Sequence, residues 1–365
     1  MRTDAVDGYL LDRGFQILLT AYPEVKRQLD LDGLDLQAFA PGASICVDGR
    51  RHQVGDPLRD PRSLPATVLN TLLTPADKLR ILRLRQRVTS GDPRRLLRQP
   101  DGSTIDHLRE LGFSKRAIQH FFRPLFAGIQ LDPELATSRR MFDIIFRSLS
   151  LGESAVPSRG MGAIPEQMAA RLSDGTVLCD MAVSAVTPTS VTTADGSVQA
   201  SHVVVATDGP TAARLLDLPV PGSRSVGCVW FSADRSPSGD RLIMLDGTSK
   251  GPAYNVAVLS DVAPSYAPRG KALIAAATPG DTEADVDERV KAQLRTMVGP
   301  EVDAWDVLRV DRIPHGQPDQ RAPFSPKRAN RTGAGIWVCG DHRDTGSIQG
   351  ALFSGRRTAE AILTA

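Results

Sequence analysis

The hydrophobic pattern divides the chain into a helical first part and a later part rich in short strands. From residue 64 to residue 147, apolar residues recur among charged ones with the spacing of amphipathic helices. The stretch 74–77, Thr-Pro-Ala-Asp, predicts the start of one helix, because threonine caps a first turn in which proline and an acid are favoured. Further helices are predicted at 281–298 and 348–363.

The predicted strands form two groups, followed by a last buried strand at 336–339. The first group is Val177–Cys179, Ala182–Val186, Ser190–Thr193 and His202–Ala206, and the second is 226–232, 254–259 and 271–277. The continuous apolar run at 203–206 is typical of a strand buried on both faces of a parallel sheet. The Pro-rich stretch 314–326 is predicted to be a connector. Helices and strands together predict an α/β protein.

Length and composition are those of an ordinary globular protein with one elaborate domain or two. The chain has 365 residues, of which 41% are hydrophobic and 24% are charged. Its net charge of +2 gives no electrostatic reason to expect nucleic-acid binding. No apolar run approaches the roughly 18 residues of a membrane span, and the acids at positions 4, 7 and 12 argue against an export peptide. A cytoplasmic location is therefore expected.

The cysteines and histidines do not predict a metal centre or a disulfide framework. Cys46, Cys179, Cys228 and Cys339 lie far apart, without the paired spacing of zinc ligands. No His-Glu-x-x-His pattern occurs in the sequence. We expect all four cysteines to be small buried hydrophobes in a reducing compartment, and we expect no metal site.

The residues near the C-terminus carry the most specific chemical signal. The predicted strand at 336–339 ends at Gly340, where the missing side chain lets a ligand approach the backbone, and Asp341 follows. Ligand sites of open α/β sheets lie at the carboxyl ends of strands. The next helix begins near Ser347 and Ile348, and its free amides suit an electron-rich group. The alternative interpretation is an ordinary strand–turn–helix unit in which the small residues serve packing.

This C-terminal block, from Ile336 to Gly355, resembles the FAD motif of the flavin-containing amine oxidase superfamily. That superfamily includes protoporphyrinogen oxidases and phytoene-desaturase-like enzymes. The resemblance implies that Gly340 and Asp341 lie near the ribityl–diphosphate part of FAD, and that the start of the next helix faces the isoalloxazine ring. The residues that it assigns to this helix start are Ser347, Ile348, Gln349 and Gly350.

Two stretches earlier in the chain resemble other parts of the same family. Residues 7–16 resemble the segment after the family's second glycine motif, whose loop lies against the flavin. The resemblance thus implies that Arg13 and Gly14 contact FAD. Residues 156–162 resemble the turn through which the chain returns from the substrate domain to the FAD domain.

Two stretches in the middle of the chain resemble strands beside the cofactor. Cys179–Val186 resembles the strand whose backbone clasps the adenine, with Val183 as the implied contact. The run at 203–207 resembles a family strand that ends beside the cofactor, which implies contacts from Ala206 and Thr207. With the preceding stretches, these similarities extend over nearly the whole chain.

One element of the family pattern has no counterpart in these residues. The family opens with a strand, a Gly-x-Gly-x-x-Gly turn, a helix and an acid that binds ribose, and a Gly-Gly-Arg turn comes next. The sequence begins where that second turn would have just ended. The similar string Gly160-Met161-Gly162 is expected to have no strand before it, so it does not predict dinucleotide binding. The main diphosphate-binding element is therefore expected to be absent from the chain.

The sequence thus predicts an α/β architecture in which two domains are interleaved. One is a Rossmann-like FAD-binding domain without its N-terminal strand, turn and helix, and the other is an α+β substrate domain. The FAD domain is predicted at residues 1–40, 157–222 and 312–365, and the substrate domain at residues 41–156 and 223–311.

The resemblance implies an FAD-dependent oxidoreductase that transfers a hydride from a C–N or C–C bond of a small or apolar substrate to the flavin. An amine, a polyene and a tetrapyrrole are all compatible substrates, and no residue stands out as a general base. The alternative from another class is a shortened, non-catalytic relative that acts as a binding protein. A nicotinamide-dependent dehydrogenase is disfavoured, because the glycine fingerprint of that cofactor is absent as well.

Two segments of the substrate domain have two interpretations each. The seven arginines between residues 79 and 98 suit either peripheral contact with an anionic membrane or a solvated helix face, and the solvated face is favoured. Residues 120–126 and 141–142 are rich in phenylalanine and suit either an apolar substrate tunnel or the core, which is favoured. The sequence implies a small-molecule substrate as partner and specifies no oligomeric state.

Overall fold

The computed structural model of the protein describes residues 1–364. Its strands are β1 (Thr3–Val6), β2 (Tyr9–Asp12), β3 (Leu18–Leu19), β4 (Leu36–Ala38), β5 (Gly42–Val47), β6 (Arg50–Gly55), β7 (Ser154–Pro157), β8 (Val183–Val186), β9 (Ser190–Thr193), β10 (Gly196–Gln199), β11 (Val204–Val205), β12 (Ser223–Ala233), β13 (Ile243–Asp246), β14 (Asn255–Val258), β15 (Ala272–Pro279), β16 (Asp306–Pro318) and β17 (Trp337–Val338). Its α-helices are α1 (Pro23–Gln28), α2 (Leu64–Leu69), α3 (Pro75–Thr89), α4 (Thr104–Glu110), α5 (Lys115–Ala117), α6 (Arg123–Gln130), α7 (Arg139–Leu151), α8 (Ala163–Ala169), α9 (Gly209–Leu216), α10 (Leu259–Val262), α11 (Val286–Met297) and α12 (Ile348–Leu363).

A seven-stranded mixed sheet forms the largest element of the fold. Its strand order is β16-β12-β15-β14-β13-β5-β6, and all neighbours are antiparallel except β13 and β5. Every residue of β14 and β15 is buried, because both faces of the sheet are covered at its centre. Trp230 and Phe231, which point to opposite faces of β12, are therefore both fully buried.

Helices from the first part of the chain form a core cluster with part of this sheet. Phe122, Phe126 and Phe142 are fully buried in it, and the ring centroids of Phe126 and Phe142 lie 4.5 Å apart. Ile45 and Leu245 join this cluster from β5 and β13. The phenylalanines at these three positions are thus core residues and do not line an open tunnel. The helix start predicted at 74–77 is confirmed by the capping box at the beginning of α3.

The remaining strands form small sheets. β11 and β17 pair in parallel, β8, β9 and β10 form an antiparallel sheet, and β3, β7 and β4 form another. α9 follows β11 and α12 follows β17, which is the strand–helix order of parallel α/β folds. Val203 and Val205 are buried, whereas Val204 is 41% exposed. Ala206 is exposed as well, so the prediction that the whole run 203–206 is buried on both faces is wrong at Val204 and Ala206.

Two other local predictions are wrong. Val177–Cys179 forms no strand, and Val177 and Leu178 are exposed because no other element covers them. The stretch 314–326 is not a connector throughout, because β16 continues to Pro318. β16 lies at the edge of the large sheet, where a proline can be placed without removing a hydrogen bond of the ladder.

The cysteines are free, and three of the four are buried as expected. Cys179 is exposed, so the expectation of burial is wrong there, for the same reason as for its neighbours Val177 and Leu178. Among the helices of residues 1–364, none combines the length and the apolar character needed to cross a bilayer.

Candidate functional site

The parallel pair β11 and β17 brings four of the predicted cofactor-binding residues to the carboxyl ends of its two strands, a place called the β11–β17 edge below. Val204 pairs with Trp337, and the Cys339 amide donates to the Val205 carbonyl at 3.0 Å. Because both strands run in the same direction, the segments that follow them leave the sheet side by side. These segments contain Ala206 and Thr207 after β11, and Gly340 and Asp341 after β17.

Gly340 occupies a crowded point of this edge. Its φ is +144°, and a Cβ at this position would lie 3.1 Å from the Thr207 carbonyl oxygen and 2.7 Å from the His342 ring. Its amide donates to Ser354 Oγ of α12 at 3.2 Å, which ties the end of β17 to the helix. Glycine is therefore required here by the backbone conformation and by the close approach of protein neighbours.

Asp341 presents a carboxyl group that has lost much of its hydration. Burial raises the pKa of Asp341, and hydrogen bonds from the backbone amides of its own turn partly offset this effect. The Nδ1 atom of His342 is 4.0 Å from its Oδ1 atom, which is too far for a hydrogen bond. A desolvated carboxyl with acceptor capacity to spare is suited to bind hydroxyl groups of a ligand.

His342 is a candidate that the sequence analysis missed. Its ring is buried beside Gly340 and Gly209, and neither ring nitrogen has a hydrogen-bond partner among residues 1–364. Burial, assisted by the nearby Arg343 and Arg328, lowers the pKa of His342 to about 4. The ring is therefore neutral at pH 7 and offers one donor and one acceptor. Its position directly after the Gly-Asp pair is the one signal in the sequence that points to it.

The start of α12 is shaped by its own turn. Ser347 is the N-cap residue, and its Oγ atom accepts a hydrogen bond from the Gly350 amide at 3.1 Å. A side chain at Gly350 would collide with the Thr345 carbonyl oxygen, so glycine is needed for this turn. Ile348 is partly buried and packs against the core cluster that contains Trp230. The first amides of the helix still form an N-terminus that favours electron-rich groups.

Gln349 connects α12 to α1. Its Oε1 atom accepts a hydrogen bond from the Glu24 amide at 2.8 Å. The Glu24 carboxylate pairs with Arg356 of α12 at 2.7 Å, and this ion pair lowers the pKa of Glu24. The Gln349 side chain thus has a structural role, and its predicted contact with the flavin ring stays a prediction.

The predicted residue Gly14 lies against β16. Its amide donates to Asp311 Oδ2 at 3.0 Å, its φ is +76°, and a Cβ would lie 2.8 Å from Ile313 Cδ1. Asp311, Ile313 and His315 alternate along β16 and therefore share one face of the strand. Through Asp311 and Ile313, β16 thus holds the Gly14 loop against the large sheet.

An ion network holds the loop before Gly14. Arg309 pairs with Asp4 at 3.1 Å and with Asp311 at 2.9 Å. Arg13 is largely exposed and lies 3.6 Å from the Asp4 carboxylate. The structure therefore places the Arg13 side chain at the surface and the Gly14 backbone against the sheet.

The string Gly160-Met161-Gly162 does follow a strand, so the expectation that it lacks one is wrong. It joins β7 to the seven-residue helix α8. The Met161 amide donates to the Asp12 carboxylate at 2.9 Å, and the Gly162 amide donates to Thr3 Oγ at 2.8 Å. Because protein side chains already bind these amides, the turn is not a phosphate cradle.

Val183 lies apart from the edge described above. It belongs to β8, in a different sheet from β11 and β17. Val186 and Val191 of that sheet pack partly buried against the cluster beneath β11. The contact between Val183 and adenine stays a prediction.

The residues at the β11–β17 edge fit one part of the FAD that the resemblance implies. The desolvated Asp341 carboxyl and the unpartnered ring nitrogens of His342 suit a group rich in hydroxyls. In residues 1–364, no Gly-x-Gly-x-x-Gly turn joins a strand to a helix. The described residues thus fit the hydroxyl-rich ribityl part of FAD, which stays a prediction, and they contain no glycine cradle for its diphosphate.

Comparisons with known proteins agree with this interpretation. A model of the flavin-containing amine oxidoreductase family matches residues 1–363. A solved structure named as a protoporphyrinogen oxidase, from Exiguobacterium sp. 255-15, is 16% identical with a TM-score of 0.71, over 100% of this chain and 90% of that chain. An oxidoreductase from Methanosarcina mazei is 14% identical with a TM-score of 0.72, over 98% and 90%. Reduced UDP-galactopyranose mutase is 15% identical with a TM-score of 0.65, over 100% and 87%. No curated protein matches.

The family match confirms the resemblance that was inferred from the C-terminal block. It also confirms FAD as the cofactor of the family and the Rossmann-like α/β class of the fold. The solved structures, with identities of 14–16%, show the fold alone. The domain boundaries and the roles of individual residues stay predictions.

Proposed function

Because the chain belongs to the flavin-containing amine oxidoreductase family, we propose that it oxidises a small or apolar substrate by hydride transfer from a C–N or C–C bond to FAD. The observation that carries this proposal is the β11–β17 edge. There Gly340 brings the ends of the two strands close together, Asp341 offers a desolvated carboxyl, and the start of α12 lies close by in the chain.

The residues of this edge position the cofactor. FAD supplies the hydride acceptor when it is bound. The Asp341 carboxylate accepts hydrogen bonds from hydroxyl groups of the ribityl chain, and the neutral His342 ring binds a polar group that approaches Gly340. The N-terminus of α12 stabilises electron density on the ring that faces it.

The first experiment measures FAD binding and reduction by the purified 365-residue chain. FAD is titrated against the protein, and quenching of the flavin fluorescence reports binding. Amines, polyenes and tetrapyrroles are then added anaerobically, and bleaching of the flavin absorbance reports hydride transfer. Bleaching by one class supports the proposal and identifies the substrate class. Binding without bleaching by any of the three classes favours the binding-protein alternative.

A second experiment tests the site. Asp341→Ala should weaken FAD binding by about 1–3 kcal/mol, because it removes a charged hydrogen-bond acceptor. Asp303→Ala is the matched control, since Asp303 is half exposed, follows α11 and pairs with Arg295 of that helix, and neither residue belongs to the β11–β17 edge. Equal dissociation constants for Asp341→Ala and the unchanged chain would remove Asp341 from the site.

A further inference from the structure

Helix α2 (Leu64–Leu69) is unusual because none of its residues is buried. Leu64, Val68 and Leu69 are 50%, 60% and 76% exposed. Helices of globular proteins normally bury their apolar stripe against the core. Here three large apolar side chains of one short helix face outward, and no other part of residues 1–364 covers them.

The exposed apolar surface continues from α2 onto α3. Lys78 Nζ donates to the carbonyl oxygens of Val68 and Asn70, both at 2.8 Å, so the first turn of α3 lies on the end of α2. Leu82 is one helical turn after Lys78 and therefore lies on the same side of α3. The exposed residues of this region, called the α2 surface below, are Leu58, Leu64, Val68, Leu69, Leu79 and Leu82.

The region around the α2 surface carries a large excess of positive charge. Residues 58–98 contain ten Lys and Arg against three Asp, a net charge of +7, whereas the whole chain has a net charge of +2. Part of this charge is held in ion pairs. Arg85 pairs with Asp56, Arg87 with Asp143 and Arg94 with Asp92.

Other arginines of the region remain available to a partner. Arg62, Arg83 and Arg98 are exposed and form no ion pair within residues 1–364. Arg62 lies just before α2, and Arg83 lies one turn after Leu79 on α3. Cations without ion pairs therefore lie next to the exposed leucines in both helices of the α2 surface.

We propose that the α2 surface docks on an anionic lipid bilayer. The leucines enter the boundary between headgroups and acyl chains, and the flanking arginines bind the anionic headgroups. A nucleic acid would use the arginines and leave the leucines in water. A second copy of this chain would place two surfaces of the same positive sign against each other, which is unfavourable. An anionic membrane thus binds the exposed leucines and the arginines at the same time. This proposal does not depend on the proposed oxidoreductase function.

The test is sedimentation of the full chain with vesicles. One set contains phosphatidylcholine alone, and in the other about a third of the lipid is phosphatidylserine. The chain should bind the anionic set, and binding should fall as the salt concentration rises, because added salt shortens the Debye length. Leu69→Asp should weaken partitioning at least about tenfold, since it replaces an inserted side chain by a charge. Leu363→Asp is the control, because Leu363 is at least as exposed, at 86% against 76% for Leu69, but lies at the end of α12.

A charge variant tests the electrostatic half of the proposal. Arg62→Gln combined with Arg83→Gln should weaken binding to the anionic vesicles roughly tenfold or more. Arg214→Gln, at an exposed position of α9, should leave it unchanged. Absence of sedimentation, equal binding to both vesicle sets, or equal binding of Leu69→Asp and the unchanged chain would overturn the proposal. A Leu69→Asp variant that altered the oligomeric state in gel filtration, without altering vesicle binding, would assign the surface to contacts between protein copies instead.

Discussion

The seven-stranded sheet and the β11–β17 pair differ in how completely their strands are covered. In the large sheet every residue of β14 and β15 is buried. In the parallel pair each strand has two residues, and Val204 is 41% exposed between two buried valines. The buried side chains of the large sheet stabilise it, whereas at the edge of the parallel pair the buried His342 ring has no hydrogen-bond partner among residues 1–364.

This difference has a thermodynamic consequence. Buried polar groups without partners cost folding free energy, and both ring nitrogens of His342, at the edge of the parallel pair, are groups of this kind. A ligand that binds only the native state stabilises it by mass action. FAD is therefore expected to raise the stability of the β11–β17 region more than that of the large sheet.

The largest expected effect comes from comparing a leucine at the covered centre of the large sheet with an uncovered leucine outside it. Leu273→Ala in β15 removes a fully buried side chain and should lower the free energy of unfolding by about 2–5 kcal/mol. Leu178→Ala, at a position 66% exposed near β8, should change it by no more than about 0.5 kcal/mol. Urea unfolding followed by circular dichroism measures both. Similar losses for the two variants would contradict the comparison.

The next effect is a pH dependence located at the edge. The pKa of His342 is lowered to about 4, so the native state binds fewer protons than the unfolded state between pH 4 and the ordinary value of 6.5. Stability that is fully present above pH 6.5 is therefore lost as the pH falls towards 4, by at most about 3 kcal/mol. Urea unfolding at a series of pH values should show that His342→Asn removes much of this loss. The exposed His202→Asn should not change it, and a loss that persists in His342→Asn would show that another group causes it.

Much of the fold could be predicted from the sequence, because apolar runs and helix caps are local signals. The capping box at Thr74 and the strand at 226–232 are examples. β6 could not be predicted in this way, since Val54 is its one buried residue and the strand is held by pairing with β5. Pairing between strands depends on contacts that a local pattern does not contain.

The candidate site shows the same limit. Gly340 and Asp341 follow a buried strand, so a local pattern was sufficient to select them. The buried state of His342 depends on Gly209, which is distant in the sequence, and therefore could not be predicted. The contact of Gln349 with Glu24 also joins distant segments. The local sequence pattern was thus sufficient to locate the edge. Contacts between distant segments determine which of its side chains already have hydrogen-bond partners within the protein.

Two glycines of α12 sharpen the comparison at a smaller scale. A Cβ at Gly350 would collide with the Thr345 carbonyl oxygen, in a turn that cannot open without losing the Ser347 cap. Gly350→Ala should therefore destabilise the protein by about 1–3 kcal/mol, as overpacking does. Thermal unfolding followed by circular dichroism measures the effect without FAD. A neutral or stabilising result would show that the turn is less tightly packed than the structure indicates.

The smallest expected effect is at Gly355, in the same helix. A Cβ at this position would meet nothing within 4 Å. Gly355→Ala should stabilise the protein by about 0.4–1 kcal/mol, because alanine loses less backbone entropy than glycine when a helix forms.

The same variant also tests how closely the helix approaches the cofactor. If FAD lay directly against Gly355, the added methyl group would weaken FAD binding while the protein without FAD became more stable. We expect the dissociation constant to stay unchanged, since the predicted contacts lie at residues 347–350 and not a full turn further along α12. A fluorescence titration of the variant with FAD decides between these outcomes, and weaker binding would extend the site beyond the start of the helix.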